Sequence, residues 1–333
     1  MKTWIRILIG TLLIGVLLYL ADWKGTLKQF EKVEIAPVAI AFLLLNANIF
    51  ISSLKWKILL HAKSIAISWW LLARSYWIGT FFGNYLPTSV GGDIVRLIMF
   101  NNIGRTASMA ASIAWERITG LCVLLGLSLA VLIVRPQYFQ VGKIWLFLWL
   151  LVFAGIATIG ALITMGDKLI AVVNKISLKP GGFAGKLVQK LGKFVNAIHE
   201  YRNEKKAIFI SLLLSVPFYF AGILLNYMLF GAIDAKVEFV DVMCILPIVY
   251  LVSLLPISLN GLGLSEGAFV VFFGQIGVPA HQALAVAIIR RLIHLMVSLV
   301  GGLLWLLSKN TVNLKRGGTG NIQQATGVDK HPE

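Results

Sequence analysis

Uncharged runs long enough to enter or cross a lipid bilayer recur along this chain, and they constrain its fold more than any motif does. Stretches free of Asp, Glu, Lys and Arg cover Ile7–Ala21, Ile35–Leu54, Ser75–Gly92, Ile118–Val134 and Ile144–Gly166. They continue over Ala207–Ile233, Val242–Ser265, Gly267–Ile289 and Leu292–Ser308. A helix needs about 20 apolar residues to span the hydrocarbon core. Charged residues are 13% of the 333 and the mean hydropathy is +0.85, whereas soluble domains carry about 25% charged residues. A water-soluble globule is excluded, because too few polar residues remain to coat one. The chain reads as an all-α polytopic membrane protein: six full spans plus two re-entrant hairpins, or eight spans by hydropathy. The first run follows Lys2 and Arg6 as a signal-peptide core would. With no small-x-small cleavage site before Asp22, it is expected to remain as a helix.

Charge sets the expected orientation. There are 30 Lys+Arg against 14 Asp+Glu, and short basic loops stay on the cytoplasmic side. Residues 167–206 hold nine Lys/Arg against three acids. Lys55, Lys57 and Lys63 mark 55–64 as a second inner loop. Lys2 and Arg6 place the N-terminus inside, as Lys309, Lys315, Arg316 and Lys330 place the tail. Segments 22–34 and 231–241 read as outer loops, although Arg135 and Lys143 fit less well in theirs. The expected location is a bacterial or archaeal cytoplasmic membrane, with anionic lipids rather than nucleic acid as partners. Within 167–206, Phe183, Leu187, Leu191, Phe194, Ile198 and Tyr201 recur at helical spacing. That stripe lies on the inner leaflet or packs on the protein's own cytoplasmic face. The transmembrane domain is expected over 1–310, with a disordered tail from 311 to 333.

Two breaks in the apolar pattern resemble each other. Leu86-Pro87-Thr88-Ser89-Val90-Gly91-Gly92-Asp93 matches Leu255-Pro256-Ile257-Ser258 followed by Asn260, Gly261, Gly263, Ser265 and Glu266. The prolines are 169 apart and the carboxylates 173 apart; Glu116-Arg117-Ile118 precedes Arg290-Arg291-Leu292 by 174. Pro/Gly breaks can look alike by chance, but the charges fall in register too. With the expected orientations, repeats of about 35–134 and 207–308 have opposite topology, an arrangement that places sites at broken helices near the midplane. Proline removes a donor and glycine permits left-handed or extended backbone, so each helix stops and restarts. The Ile94–Ile103 arm is too short to span, which predicts a hairpin between Lys63 and Arg105.

The charges at these breaks carry two readings. Asp93 and Glu266, with Ser89 and Ser265, cap the restarted helices, and Asp93, Glu116 and Glu266 neutralise Arg96, Arg117 and Arg291. Alternatively the arginines hold a lipid phosphate bidentately while a carboxylate meets the head group. The candidate substrate-binding set is Asn84, Pro87, Ser89, Gly91, Gly92, Asp93, Arg96, Glu116 and Arg117. From the second break it takes Pro256, Ser258, Asn260, Gly261, Gly263, Glu266 and Arg291. No catalytic residue, metal or cofactor is expected: His61, His199, His281, His294 and His331 lack metal-ligand spacing, and Cys122 and Cys244 read as small apolar core residues. Trp69-Trp70 and Tyr76-Trp77 read as interfacial anchors.

The segments Gly83–Arg96, Glu116–Gly120 and Pro256–Glu266, with Arg291-Leu292, resemble the lysylphosphatidylglycerol synthase transmembrane region family of flippase-like membrane proteins. The resemblance covers about residues 1–308. It implies kinship with the flippase half of multiple peptide resistance factors, which move aminoacylated phosphatidylglycerol to the outer leaflet. Those proteins add an aminoacyl-transferase domain, whereas this chain ends about 25 residues after its last apolar run, so lysyl-lipid synthesis is not expected. Many members carry Arg where this chain has Ser265. The expected function is translocation or binding of an anionic or aminoacylated phospholipid or a polyprenyl-phosphate-linked lipid. The alternatives are an integral-membrane transferase and an accessory subunit of a separate lipid-modifying synthase.

Overall fold

A computed structural model describes residues 22–85, 91–139, 143–164, 196–255 and 257–315, with helical positions at 8, 11–13, 15–17 and 19. Its described elements are helical, as the alternation of long apolar runs requires. A short helix α1 (Trp23–Glu31) leads into α2 (Ile35–Ala62), α3 (Trp69–Tyr85), α4 (Gly91–Met99), α5 (Thr106–Val134) and α6 (Ile144–Thr164). Then follow α7 (Lys205–Ala232), α8 (Phe239–Ser253), α9 (Leu264–Gly274) and α10 (Ala280–Lys315). Four of them, α2, α5, α7 and α10, are long and apolar enough to cross a membrane. In lipid every backbone polar group must be satisfied within the protein, and helices do this locally.

The two quartets α2–α5 and α7–α10 share backbone detail at a fixed offset. Helices α2 and α7 are each 28 residues long, and their ends are displaced by 170 positions. Both close with the same left-handed cap. Ser64 has φ 53° and Asp234 φ 54°. The Ile65 N–H donates to the Leu60 carbonyl and Ser64 to His61; Ala235 donates to Phe230 and Asp234 to Gly231. This Schellman pairing satisfies carbonyls that the helix end would otherwise leave open. In each quartet the next two helices, α3 and α4 or α8 and α9, are short, and a long helix returns.

The quartets interlock. Helix α2 packs most extensively on α7, and α3 on α10. The second contact needs glycine: a Cβ on Gly301 would sit 1.8 Å from the Trp77 carbonyl oxygen, and one on Gly302 would meet the Phe81 ring. The largest apolar core draws on both quartets, with Trp77, Leu124, Phe230, Val249, Phe269 and Val286 among its buried members.

Several expectations shift. Residues 55–62 continue α2 rather than forming a loop, and Lys55 is buried with 4% exposure. Segment 22–34 contains α1, whose Thr26 and Gln29 are buried, and that helix packs on α10. Helix α10 runs on to Lys315, past the point where the tail was expected to begin. Trp69 and Trp70 are exposed as anchors would be, but Trp77 is 6% exposed and donates its indole N–H to Asn46. The amphipathic stripe falls mostly on residues outside those described. At its end Ala197 and Tyr201 are buried against Leu59, Ala111 and Trp115, so that part packs on the protein itself. Burial pushes the Tyr201 phenol up, and its hydroxyl donates to the Leu59 carbonyl. Cys244 is buried as a core residue would be, whereas Cys122 is half-buried.

Candidate functional site

The first break lies between α3 and α4. Helix α4 crosses α3 at a point where backbone meets backbone: a Cβ on Gly92 would come within 2.4 Å of the Gly79 carbonyl oxygen. Gly91 and Gly92 are helical and neither has a positive φ. The expectation of special backbone freedom is therefore replaced here by a need for close approach. That crossing carries Asp93 and Arg96 inward; they are 7% and 5% exposed. Pro87 and Ser89 lie outside the described residues.

Arg96 is the centre of the cluster. It donates to Asp93 at 3.2 Å and to Glu116 at 3.1 Å. Its guanidinium plane lies 3.7 Å from the Tyr76 ring centroid and 4.1 Å from that of Trp56. Aromatic faces attract a guanidinium when both are desolvated. Tyr76 thus holds Arg96 in place; the expectation that it anchors the chain at the interface is corrected. Arg117 donates its Nε–H to the second Asp93 oxygen at 2.7 Å, and its Nη2 also contacts that oxygen. Its side chain is 61% exposed. Asp93, Arg96, Glu116 and Arg117 form one chain of ion pairs with no net charge.

The second break lies between α8 and α9 and is built from left-handed backbone. Asn260, Gly261 and Gly263 have φ of 49°, 69° and 77°, a region asparagine and glycine enter readily. Glu266, 2% exposed, accepts the Gly263 N–H at 2.8 Å and so caps α9 from its third position. Its other oxygen accepts the Arg291 Nε–H, and Arg291 also donates to the Gly261 carbonyl at 3.3 Å. Both sequence readings of Glu266, cap and ion-pair partner, hold together. Among the described residues, the hydrogen bonds to Asp93 come from Arg96 and Arg117. Pro256 lies outside the described residues.

Arg290 is the functional candidate that sequence reasoning passed over. It donates to the Ser265 hydroxyl, where the resemblance expects an arginine, and its guanidinium lies 4.9 Å from the Phe269 ring. Among the described residues no carboxylate pairs with it, and its buried Nε has no hydrogen-bond partner. The sequence signal was present in the Arg290-Arg291 doublet: adjacent helix positions point about 100° apart, and only Arg291 of the two hydrogen-bonds to Glu266 among the described residues.

Three cavities surround these groups. One of about 460 Å³ is bordered by Asn84, Asp93, Arg96, Glu116, Arg117 and the unexpected Lys55. A second of about 410 Å³ has mainly apolar walls, among them Leu45, Ile49, Phe218 and Val297, and reaches Arg290 and His294. These two share Ser52, Tyr76, Thr80, Phe218 and Tyr219, so they adjoin as two parts of one lined region, the hollow, between the quartets. A third, about 180 Å³, joins Asn84 to Asn260, Ser265, Arg290 and Arg291. Asn260 further donates to the Gly83 carbonyl at 2.8 Å, a direct link between the breaks. Ser258 is buried, and among the described residues its hydroxyl has no hydrogen-bond partner.

The sequence matches the model of the lysylphosphatidylglycerol synthase TM region over residues 3–302. Relatives of similar length occur in archaea. A UPF0104 membrane protein of Pyrococcus horikoshii is 23% identical over 93% of this chain and 98% of its own. Another, from Methanocaldococcus jannaschii, is 23% identical over 95% of this chain and 98% of its own. A third, from Methanothermobacter thermautotrophicus, is 22% identical over 90% and 92% respectively. No solved structure matches the chain. A match of that extent, together with four spanning helices and near full-length archaeal relatives, makes this chain a multi-pass integral membrane protein of the lysylphosphatidylglycerol synthase TM region family.

Proposed function

We propose that the protein binds a phospholipid or polyprenyl-phosphate lipid in the hollow between its quartets and moves it between leaflets. The observation that carries this reading is a charged cavity lying against an apolar one, with five lining residues in common. A polar head needs paired charges and donors in a low-dielectric setting, and acyl or prenyl chains need an apolar wall. The candidate residues from both breaks, Asn84, Asp93, Arg96, Glu116, Arg117, Asn260 and Arg291, border the hollow or its side cavity. Broken helices at the centre of paired repeats are a recurrent way to build such a site.

The same proposal takes the quartets as oppositely oriented, with both termini cytoplasmic in a bacterial or archaeal inner membrane. Cysteine labelling at positions 88–92 and 258–263 should then reach the two breaks from opposite faces; labelling of both from one face overturns that topology. The transport test is a proteoliposome assay with fluorescent phosphatidylglycerol. Dithionite quenching should reveal faster exchange between leaflets than in protein-free vesicles. Equal rates with folded protein present would remove the translocation reading and leave binding alone.

A further inference from the structure

Five cations and three carboxylates gather around the breaks. Lys55, Arg96, Arg117, Arg290 and Arg291 face Asp93, Glu116 and Glu266, which leaves an excess of two positive charges with His294 counted neutral. The geometry locates the excess. Arg96 and Arg117 are matched by Asp93 and Glu116, and Arg291 is matched by Glu266. Lys55 and Arg290 remain. Lys55 is 4% exposed; among the described residues its ammonium hydrogen-bonds to the Glu116 backbone carbonyl at 3.4 Å, with the Phe218 ring 6.0 Å away and the Glu116 carboxylate acting from beyond ion-pair distance. Arg290, half-buried, has a hydroxyl and an aromatic ring at contact distance, and among the described residues Glu266 attracts it only from beyond ion-pair distance.

A buried cation without a carboxylate is costly in a membrane protein, and such groups mark ligand or ion paths. Lys55 comes from α2 of the first quartet and Arg290 from α10 of the second, and the two border opposite parts of one hollow. Among the described residues, other polar atoms that line its apolar part lack protein partners: Asn48 Oδ1 and Asn226 Oδ1 are buried and accept no hydrogen bond. Donors and acceptors left open beside two unmatched cations describe a site for a hydroxylated anion.

We infer that the hollow selects a phosphate-bearing lipid of net negative charge, with Lys55 and Arg290 supplying the unmatched positive charge at its two ends. This rests on the lipid-binding reading above and narrows it. A lysyl ester of phosphatidylglycerol carries one phosphate and two ammonium groups, so its net charge is positive and opposes the site. The Asp93–Arg96–Glu116–Arg117 cluster is closed on itself and forms the frame beside the phosphate.

The test is binding to the full-length protein in detergent micelles, read by native mass spectrometry with added lipid. The probes are phosphatidylglycerol, lysyl-phosphatidylglycerol, phosphatidylcholine and inorganic phosphate. Phosphatidylglycerol should bind about tenfold or more tightly than phosphatidylcholine or the lysyl ester, because a charge-assisted hydrogen bond is worth at least one decade of affinity. Lys55→Met and Arg290→Gln should each lower phosphatidylglycerol affinity about tenfold. Ligand-free Tm should hold or rise in both, since each removes an unmatched buried charge; a fall in Tm without loss of binding makes that cation structural. Either variant alone suffices if the other does not fold. Displacement of the lipid by millimolar inorganic phosphate would assign the site to a free anion. Equal binding of all three lipids, unchanged in both variants, leaves the lipid reading standing and overturns the charge assignment. Binding of none of them overturns the lipid reading itself.

Discussion

The two breaks solve one backbone problem with different chemistry. At the first, helices α3 and α4 touch through Gly79 and Gly92, and four side chains close a neutral ion-pair network around a guanidinium held between Trp56 and Tyr76. At the second, Asn260, Gly261 and Gly263 turn the chain in left-handed steps, and one carboxylate serves as both cap and counter-ion. Among the described residues, the first contributes charge pairs and a close helix crossing, and the second contributes left-handed backbone. Glu266 hydrogen-bonds to Gly263 and Arg291, and among the described residues no carboxylate lies within ion-pair distance of Arg290.

This contrast can be broken at its strongest point first. Arg96→Met should cost about 3–5 kcal/mol, because it leaves Asp93 and Glu116 buried without their cation. Thermal unfolding in detergent would measure it, and a loss below about 1 kcal/mol would show that the network does not hold the first break together. Next comes Gly301→Ala, whose Cβ would collide with the Trp77 carbonyl. A cost of about 1–3 kcal/mol is expected from overpacking. The same thermal unfolding in detergent would measure it, and an unchanged Tm would argue that α3 and α10 are not tightly docked. Glu266→Gln should be milder, about 1–2 kcal/mol, since the amide oxygen can still accept the Gly263 N–H while the ion pair to Arg291 is lost. Asp93→Asn, which weakens contacts to two arginines, should cost more than Glu266→Gln; the reverse order would erase the contrast between the breaks. The smallest effect should come from Arg117→Ala, within about 0.5 kcal/mol, because its side chain is mostly exposed and screened.

Much of the plan was legible in the residues. Apolar run length gave the spanning helices, and the paired Leu-Pro-x-Ser and Gly patterns gave the two breaks. What pattern could not supply was direction. Lys55 and Lys57 look alike in sequence, yet they sit two positions apart on α2, so one enters the hollow while the other lies on the opposite side of the helix. Trp77 looked like its neighbour Trp70, but only a tertiary contact with Asn46 determines that it is buried. Gly301 and Gly302 carried no signal at all, since a glycine needed for another helix reads the same as one tolerated by chance. The Arg290-Arg291 doublet was visible, but which arginine would find Glu266 depends on helix phase relative to a partner 25 residues away.

The contact between α3 and α10 has a consequence for how the protein is made. Tyr85 ends α3 and Ala280 begins α10, 195 positions later. At typical elongation rates of about 5–20 residues per second, roughly 10–40 s separate their emergence from the ribosome. During that interval the Trp77–Phe81 face of α3 lacks the helix that covers it, and the ion pairs of the first break sit beside an unfinished wall. The insertion machinery, or lipid that later gives way, must shelter that face until the last helix arrives. A chain stopped before Ala280 would therefore present an open first quartet to quality control.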